Sequence, residues 1–345
     1  MAEVIENHAK WWDHKLGRPL AFIEINNAHE RPEMKYPLLS QANCHDFSVD
    51  PAEIIVTYDN FLSGMEWMGD GFPHMDLDRF GPGIVAAFCE GAVLDNSSGR
   101  VWFFPAEHKH IRDVHAAYNP ENKWARRIKE IIKTGVEFWD GKVLIGMPDL
   151  GGVMDIAASL VGTEGLLVYL IEEPEEVKRL LSEIQAAWYA AFDDMAGVLA
   201  PQGAYTDWGL AVSKKPSYIV QCDFSAMISP EMFGEFALGH LRYDTERLYN
   251  CMYHLDGPQA VRHLDALIGL EKLKSIQWIY GAGSPRPMHW LDLYKKIAAA
   301  GKLNVILGTP REYLDVLNEI HGTPLGIHRL KASETDLARA IANAR

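Results

Sequence analysis

From residue 122 onward the chain alternates between amphipathic stretches and short runs that are apolar throughout. That is the pattern of helices laid over strands that are buried on both faces. It predicts a helix to Trp139, a strand over 142–147 ending at Pro148 and Asp149, and helices at about 151–161, 164–171 and 174–199. The last of these is entered through Glu172, Glu173 and Pro174, residues suited to a first helical turn. Further strands are expected at 204–208, 218–222, 250–254, 273–278, 302–306 and 325–329, with helices at 229–248, 258–268, 288–300, 310–320 and 334–344. At the other end, a helix over 2–16 carries Trp11 and Trp12 and stops at Gly17 before Pro19, and 19–25 reads as the first strand.

These strands are eight in number. Alternating strands and helices imply a parallel sheet, and eight strands favour a closed (β/α)8 barrel of the TIM type, here read as one domain over 1–345. Residues 27–120 break the rhythm. They are rich in Pro, Gly, His and Trp, with a helix at about 51–68 capped by Asp50, an apolar stretch at 84–88 and a β-containing portion at 99–105. Long connections without a repeat are commonly lids or substrate loops, so this excursion is expected over the barrel mouth; its aromatics could equally form a small core of their own.

Composition narrows the chemistry. A formal charge of -14 weighs against a nucleic-acid groove or an anionic membrane as the main partner. Cys44, Cys89, Cys222 and Cys251 are scattered, without a C-x-x-C pair, which suits cytosolic thiols better than a disulfide frame. The first residues have neither a basic nor an apolar leader segment, and no apolar run is long enough to span a bilayer. A cytoplasmic protein is therefore expected. No G-x-G-x-x-G follows the first strand and no Walker lysine loop is present, so no nucleotide is expected.

In a parallel barrel the carboxyl ends of the strands face one cavity. The polar residues at those ends are Glu24 and Asn26, Asp149, Asp207, Cys222 and Asp223, His254 and Asp256, Gln277, and His328. Glu24 is out of place in an otherwise apolar strand, either as a salt-bridged terminus or as a site residue. His254 and Asp256 stand two apart in the segment 250–257 and so share a face of one strand. As a pair they can act as an acid/base dyad or as chelators of a divalent ion. Trp208, Trp278 and Trp290 could wall a pocket for a flat or apolar group. Cys222 and Cys251 read as small buried hydrophobes, and the spacing of His108, His110 and His115 fits no metal template.

Three stretches together resemble the uroporphyrinogen decarboxylase superfamily: Glu172-Glu173-Pro174-Glu175-Glu176-Val177, the segment from Ile228-Ser229-Pro230-Glu231 to Phe236, and the turn Tyr253-His254-Leu255-Asp256-Gly257. The likeness covers roughly residues 80–345. It implies a (β/α) barrel and membership of a group that holds the haem-pathway decarboxylase and zinc-dependent methyltransferases that move methyl groups between corrinoid proteins and thiols.

The departures are informative. The decarboxylase follows its first strand with an arginine-rich motif that grips substrate carboxylates, whereas this chain has Ile23-Glu24-Ile25-Asn26-Asn27-Ala28. Uroporphyrinogen itself is not the expected substrate. The methyltransferases carry His-x-Cys at the turn and a later Cys as zinc ligands. Here His254 matches the His, Asp256 replaces the Cys, and no Cys follows Cys251. Carboxylate for thiolate makes the site harder.

The resemblance thus implies a methyltransferase-like enzyme of methyl or corrinoid metabolism. Its centre is His254 and Asp256, with Asp223 and Glu24 as further catalytic candidates and Asp149, Asp207, Trp208, Gln277 and Trp278 placed to bind substrate. The metal would be zinc or another divalent ion on His254, Asp256 and, in place of the missing cysteine, His328. Expected partners are a small-molecule substrate, a corrinoid protein as methyl donor, and a second copy in a homodimer. A decarboxylase of another substrate, and a non-catalytic barrel that binds a corrinoid, tetrapyrrole or other small molecule, stay open.

Overall fold

The computed structural model describes residues 1–320 and 322–331; the helix expected over 334–344 lies outside them. The strands are β1 (Leu20–Asn26), β2 (Glu66–Gly69), β3 (His74–Met75), β4 (Ala92–Asp95), β5 (Trp102–Pro105), β6 (Leu144–Ile145), β7 (Tyr218–Gln221), β8 (Cys251–Asp256), β9 (Ser275–Ile279), β10 (Leu303–Leu307) and β11 (Leu325–Lys331). The helices are α1 (Ala2–Trp12), α2 (Pro51–Leu62), α3 (Val85–Phe88), α4 (Lys123–Trp139), α5 (Val153–Val161), α6 (Thr163–Glu172), α7 (Pro174–Leu199), α8 (Pro230–Phe236), α9 (Leu238–Arg247), α10 (Leu264–Ile268), α11 (Leu291–Ala299) and α12 (Pro310–Leu317).

Seven strands form one sheet in the order β2-β1-β11-β10-β9-β8-β7, parallel throughout except where β2 runs against β1. The fold is therefore α/β with a parallel sheet. Between the outer strands β2 and β7 the ladder is interrupted. That interval holds the parallel pair β3 and β6 and the single parallel bridge between Met147 and Asp207.

Alternation along each strand sorts side chains into two buried clusters. Leu20, Phe22, Ile219, Met252, Val305 and Leu325 pack together on the inner face. Ala21, Ile23, Val220, Tyr253, Ile276 and Trp278 point the other way, into the larger cluster beneath the helices. Burial on both faces is why these strands read as uniformly apolar.

α1 packs against the inner cluster at the strands' amino ends. Trp11 and Trp12 are buried in it, and their indole N–H groups donate to Thr323 O at 2.7 Å and Val212 O at 3.0 Å. Arg18 grips Asp70 with two bonds of 2.7 and 2.8 Å, fixing the entry to β1. The helix ends at Trp12, short of residue 16, because His14 adopts a left-handed φ of 56° and Lys15 N–H turns back to Lys10 O.

Other boundaries moved for similar local reasons. Asp50 caps α2 as expected, accepting from Ala52 N–H at 2.8 Å, but the helix stops at Leu62 and residues 66–69 extend the sheet instead. The apolar stretch 84–88 is the short helix α3, and the strand expected over 99–105 shortens to β5, half of a hairpin with β4. The helix expected over 229–248 breaks at Ala237, and those over 258–268 and 288–300 begin as 3-10 turns at Pro258–His263 and Pro287–Trp290.

The clearest correction concerns 204–208, which forms isolated bridges rather than a strand. There the Asp207 carboxylate takes the place of a ladder acceptor: Oδ1 receives Gly209 N–H at 2.8 Å and Oδ2 receives Ile219 N–H at 2.9 Å. Much of the expected lid is also built into the body. α2 packs on α4, with Trp139 Nε1 donating to Asp59, and β2 and β3 join the sheets.

Candidate functional site

β8 carries the centre of the site. Met252 lies in the inner cluster, so His254 and Asp256 follow it on the same face, and Gly257, with φ of 78°, turns the chain away immediately afterwards. On the adjacent strands Gln221 and Gln277 stand in register with His254. The imidazole Nδ1–H donates to Gln277 Oε1 at 2.7 Å, and Trp208 meets the ring edge-on with centroids 4.9 Å apart. With Nδ1 committed, Nε2 is the nitrogen left for a cation or a proton. Burial holds the His254 pKa below that of a free imidazole, outweighing the Gln277 hydrogen bond and the fields of Asp256 and Asp155.

Asp223 completes a cluster. It follows β7, and ligand atoms from Asp223, His254 and Asp256 all lie within 4.8 Å of one another; among the described residues this is the group of three that could hold a metal ion. The Asp223 carboxyl reaches solvent yet is hemmed in by protein beside Asp256, and it is pushed up to about 7. Its backbone is held by Asp155 in the first turn of α5, whose carboxylate oxygens accept from Asp223 N–H at 3.1 Å and Phe224 N–H at 2.7 Å. Burial and the neighbouring Asp223 raise Asp155 to about 7 as well. Gly152 lets α5 approach this closely, since a Cβ there would sit 2.2 Å from Gln221 O.

His254 also lines a cavity of about 870 Å³. Its floor is His254, Gln277 and Trp208, and Leu210, Ile279, Leu307 and Ile327 give it an apolar wall. Polar groups reach it from two directions. Asp76 and Asp78 come from the segment after β3, Arg286 from the loop after β9, Arg311 from the first turn of α12 and Arg329 from β11. Burial, then the field of Asp76, raises Asp78 to about 6.

The structure thus brings together Asp223, His254, Asp256, Gln277 and Trp208, and separates others from them. Glu24 is buried and paired across the β1–β11 register with Arg329 at 3.4 Å. Asp207 spends both oxygens on backbone N–H groups, as described, so its role here is in holding β7. Asp149 is buried with Oδ1 on Gly151 N–H at 3.0 Å, and burial raises its pKa well above the usual range. It feels Asp223 electrostatically but lines neither the cavity nor the cluster.

Trp278 and His328 point to the helix face. Trp278 is fully buried against Trp290, with centroids 4.9 Å apart. His328 donates from Nδ1 to Gly308 O at 3.0 Å and packs on Tyr313. Each is one residue from an inward neighbour, Gln277 or Arg329, and a one-residue step changes the face. His328 therefore stands apart from the donors it was expected to join. Cys222 and Cys251 are buried and their thiols are pushed well up by burial. His110 and His115 pair with Glu173 and Glu183 on the surface.

Sequence reasoning missed Asp76, Asp78, Asp155 and the three arginines. Asp155 left a trace, an acid in a first helical turn after Gly151-Gly152, whereas Asp76 and Asp78 follow a strand of only two residues that has no legible period.

No protein-family model matches the sequence, and no curated protein matches it significantly. The solved structures that match include a methyltransferase from Methanosarcina mazei, with a TM-score of 0.60 over 99% of this chain and 97% of that chain, at 12% identity. The likeness is one of fold. Among the described residues no single helix is long and apolar enough to cross a membrane.

Proposed function

We propose that the chain is a divergent member of the uroporphyrinogen decarboxylase superfamily, an eight-stranded (β/α) barrel acting as a methyltransferase around a divalent ion on Asp223, His254 and Asp256. The observation that carries this reading is the convergence of those three donors at the carboxyl ends of β7 and β8. The superfamily resemblance puts metal ligands at two of the positions. The structural likeness to a methyltransferase supports the same direction.

The donor set fits an ion of intermediate or hard character. One imidazole and two carboxylates suit zinc, manganese or iron, and three protein ligands leave a position for substrate. Asp223 replaces the later cysteine of the resemblance, coming from β7 rather than from the last strand. Such an ion supplies Lewis acidity, lowering the pKa of a thiol or water bound to it. The residues of the chain then do the positioning: Gln277 fixes the imidazole tautomer, Asp155 holds the Asp223 backbone, and Trp208 shields the ring. A corrinoid protein is the expected methyl donor and a small molecule the acceptor.

Uroporphyrinogen does not suit this cavity. Asp76 and Asp78 line the cavity and oppose a polyanion, and Glu24 partly neutralises Arg329, so the many carboxylates of such a substrate are not matched. The test is metal analysis of the purified protein, followed by methyl transfer from methylcobalamin to a thiol with and without the bound metal. About one equivalent of metal that is lost in His254→Ala supports the reading; a metal-free protein with unchanged turnover overturns it.

A further inference from the structure

The cavity has two poles of opposite charge. Asp76 is 6% exposed and spends Oδ1 on the Asp78 N–H at 3.0 Å, while Oδ1 of Asp78, 3.3 Å from Arg79 Nε, is buried without a hydrogen-bond partner among the described residues. Both line the cavity, so a pair of carboxyl groups, with Arg79 beside Asp78, faces whatever enters. Two carboxyl groups held this close in a half-buried setting are costly to keep unless a cation or donor meets them.

The other pole is built from arginine. In a chain with formal charge -14, three guanidiniums and no lysine line this one cavity. Arg286 is held by Glu312 through Nε and Nη2, both at 2.6 Å, and Arg311 is held by Asp315 through Nε at 3.1 Å. Each guanidinium carries five N–H donors, so these contacts orient the forks and leave further N–H groups for an oxyanion. Arg329, half exposed and paired with Glu24, sits between the two poles in strand order. Leu210, Ile279, Leu307 and Ile327 supply apolar surface along the way.

We propose that this cavity binds a zwitterion, with an amine or alkylated ammonium group at Asp76 and Asp78, a carboxylate at Arg286 and Arg311, and a short apolar body between them. A simple polyanion would face the aspartates and a simple cation the arginines, whereas a dipolar molecule satisfies both. The binding mode deepens the functional reading by naming a substrate class for the cavity that His254 lines, but its test does not need turnover.

Calorimetry on the purified full chain with 6-aminohexanoate, hexanoate and hexylamine separates the contributions of the two charges. The zwitterion should bind at least roughly tenfold more tightly than either singly charged analogue, since one well-made charged contact is commonly worth that much. Asp76→Asn should erase its advantage over hexanoate, and Arg286→Gln its advantage over hexylamine, each leaving the other comparison intact. Equal affinities, or no binding of any of the three, would overturn the proposal. Metal content is read in the same samples: metal without zwitterion binding removes this inference alone, and zwitterion binding without metal removes the metal-centred function alone.

Discussion

His254 and Gln277 stand side by side on neighbouring parallel strands, and the amide of one fixes the imidazole of the other at 2.7 Å. The bond selects the tautomer with its free nitrogen at Nε2. Gln277→Leu should therefore weaken metal binding about 10- to 100-fold, the usual effect of removing a group that orients a ligand. Competition with a chromophoric chelator measures this, and unchanged affinity would show that the amide is only packing.

Removing a donor itself should be more severe. His254→Ala and Asp223→Ala are each expected to purify with less than about a tenth of an equivalent of metal, because three ligands are the usual minimum for such a site. The melting temperature of the metal-free protein should barely change, since these side chains sit at strand ends rather than in the core. Elemental analysis beside a thermal melt reads both outcomes, and full metal occupancy in either variant counts against the cluster.

Asp207 makes the opposite prediction. Asp207→Ala orphans two backbone N–H groups, of Gly209 and Ile219, in a buried setting. At about 1–3 kcal/mol for each unsatisfied group, urea unfolding should show a loss of about 2–6 kcal/mol. Asp207→Asn, which keeps one acceptor oxygen, should cost less. A loss under about 1 kcal/mol in the alanine variant would mean that water replaces the carboxylate.

His8 should make part of the fold acid-sensitive. Its ring is fully buried, with Nε2–H donating to Asp70 O at 3.3 Å and Nδ1 accepting from Val212 N–H at 3.1 Å. Burial lowers its pKa from 6.5 to about 4. The unfolded chain therefore takes up the proton first, so this residue's stabilisation is complete above pH 6.5 and is lost as pH falls from there to about 4. The loss amounts to at most about 3 kcal/mol. His8→Gln lacks the titrating group, and its stability should fall less steeply than wild type between pH 6.5 and 4.5. Parallel profiles would assign the acid sensitivity to other residues.

Gly152→Ala tests the approach of α5 to β7. The added methyl would meet Gln221 O at 2.2 Å and Asp155 Oδ2 at 2.3 Å, so backbone must move. The variant should lose stability by about 1–3 kcal/mol, as overpacking does, and bind metal more weakly, because Asp155 holds the Asp223 backbone. Wild-type metal affinity in a destabilised variant would separate the two roles.

Much of this architecture was legible in the chain, and the reasons are specific. Seven of the eight expected strands have counterparts, because strands buried on both faces leave an apolar run that composition alone reveals. His254 and Asp256 share one face as alternation predicts, with Tyr253 and Leu255 in the cluster on the other side and Met252 in the inner one. What the pattern could not supply was phase at the short strand ends. Gln277 and Trp278 are both expected at the site although neighbours on one strand face opposite ways, and His328 is expected there whereas Arg329, one residue on, is what lines the cavity. Asp207 defeated the reading in another way: a side chain did the work of a ladder, and no periodicity records that.

The two indoles of α1, wedged among inward-facing side chains at the strands' amino ends, have a consequence for traffic. The inner cluster that holds them fills the strands' amino-terminal side, so a ligand of the cavity would come and go on the side where the strands end. Under the methyltransferase reading proposed above, two bulky reactants would then take turns in the cavity rather than meet there, and product inhibition should be competitive with the small-molecule substrate.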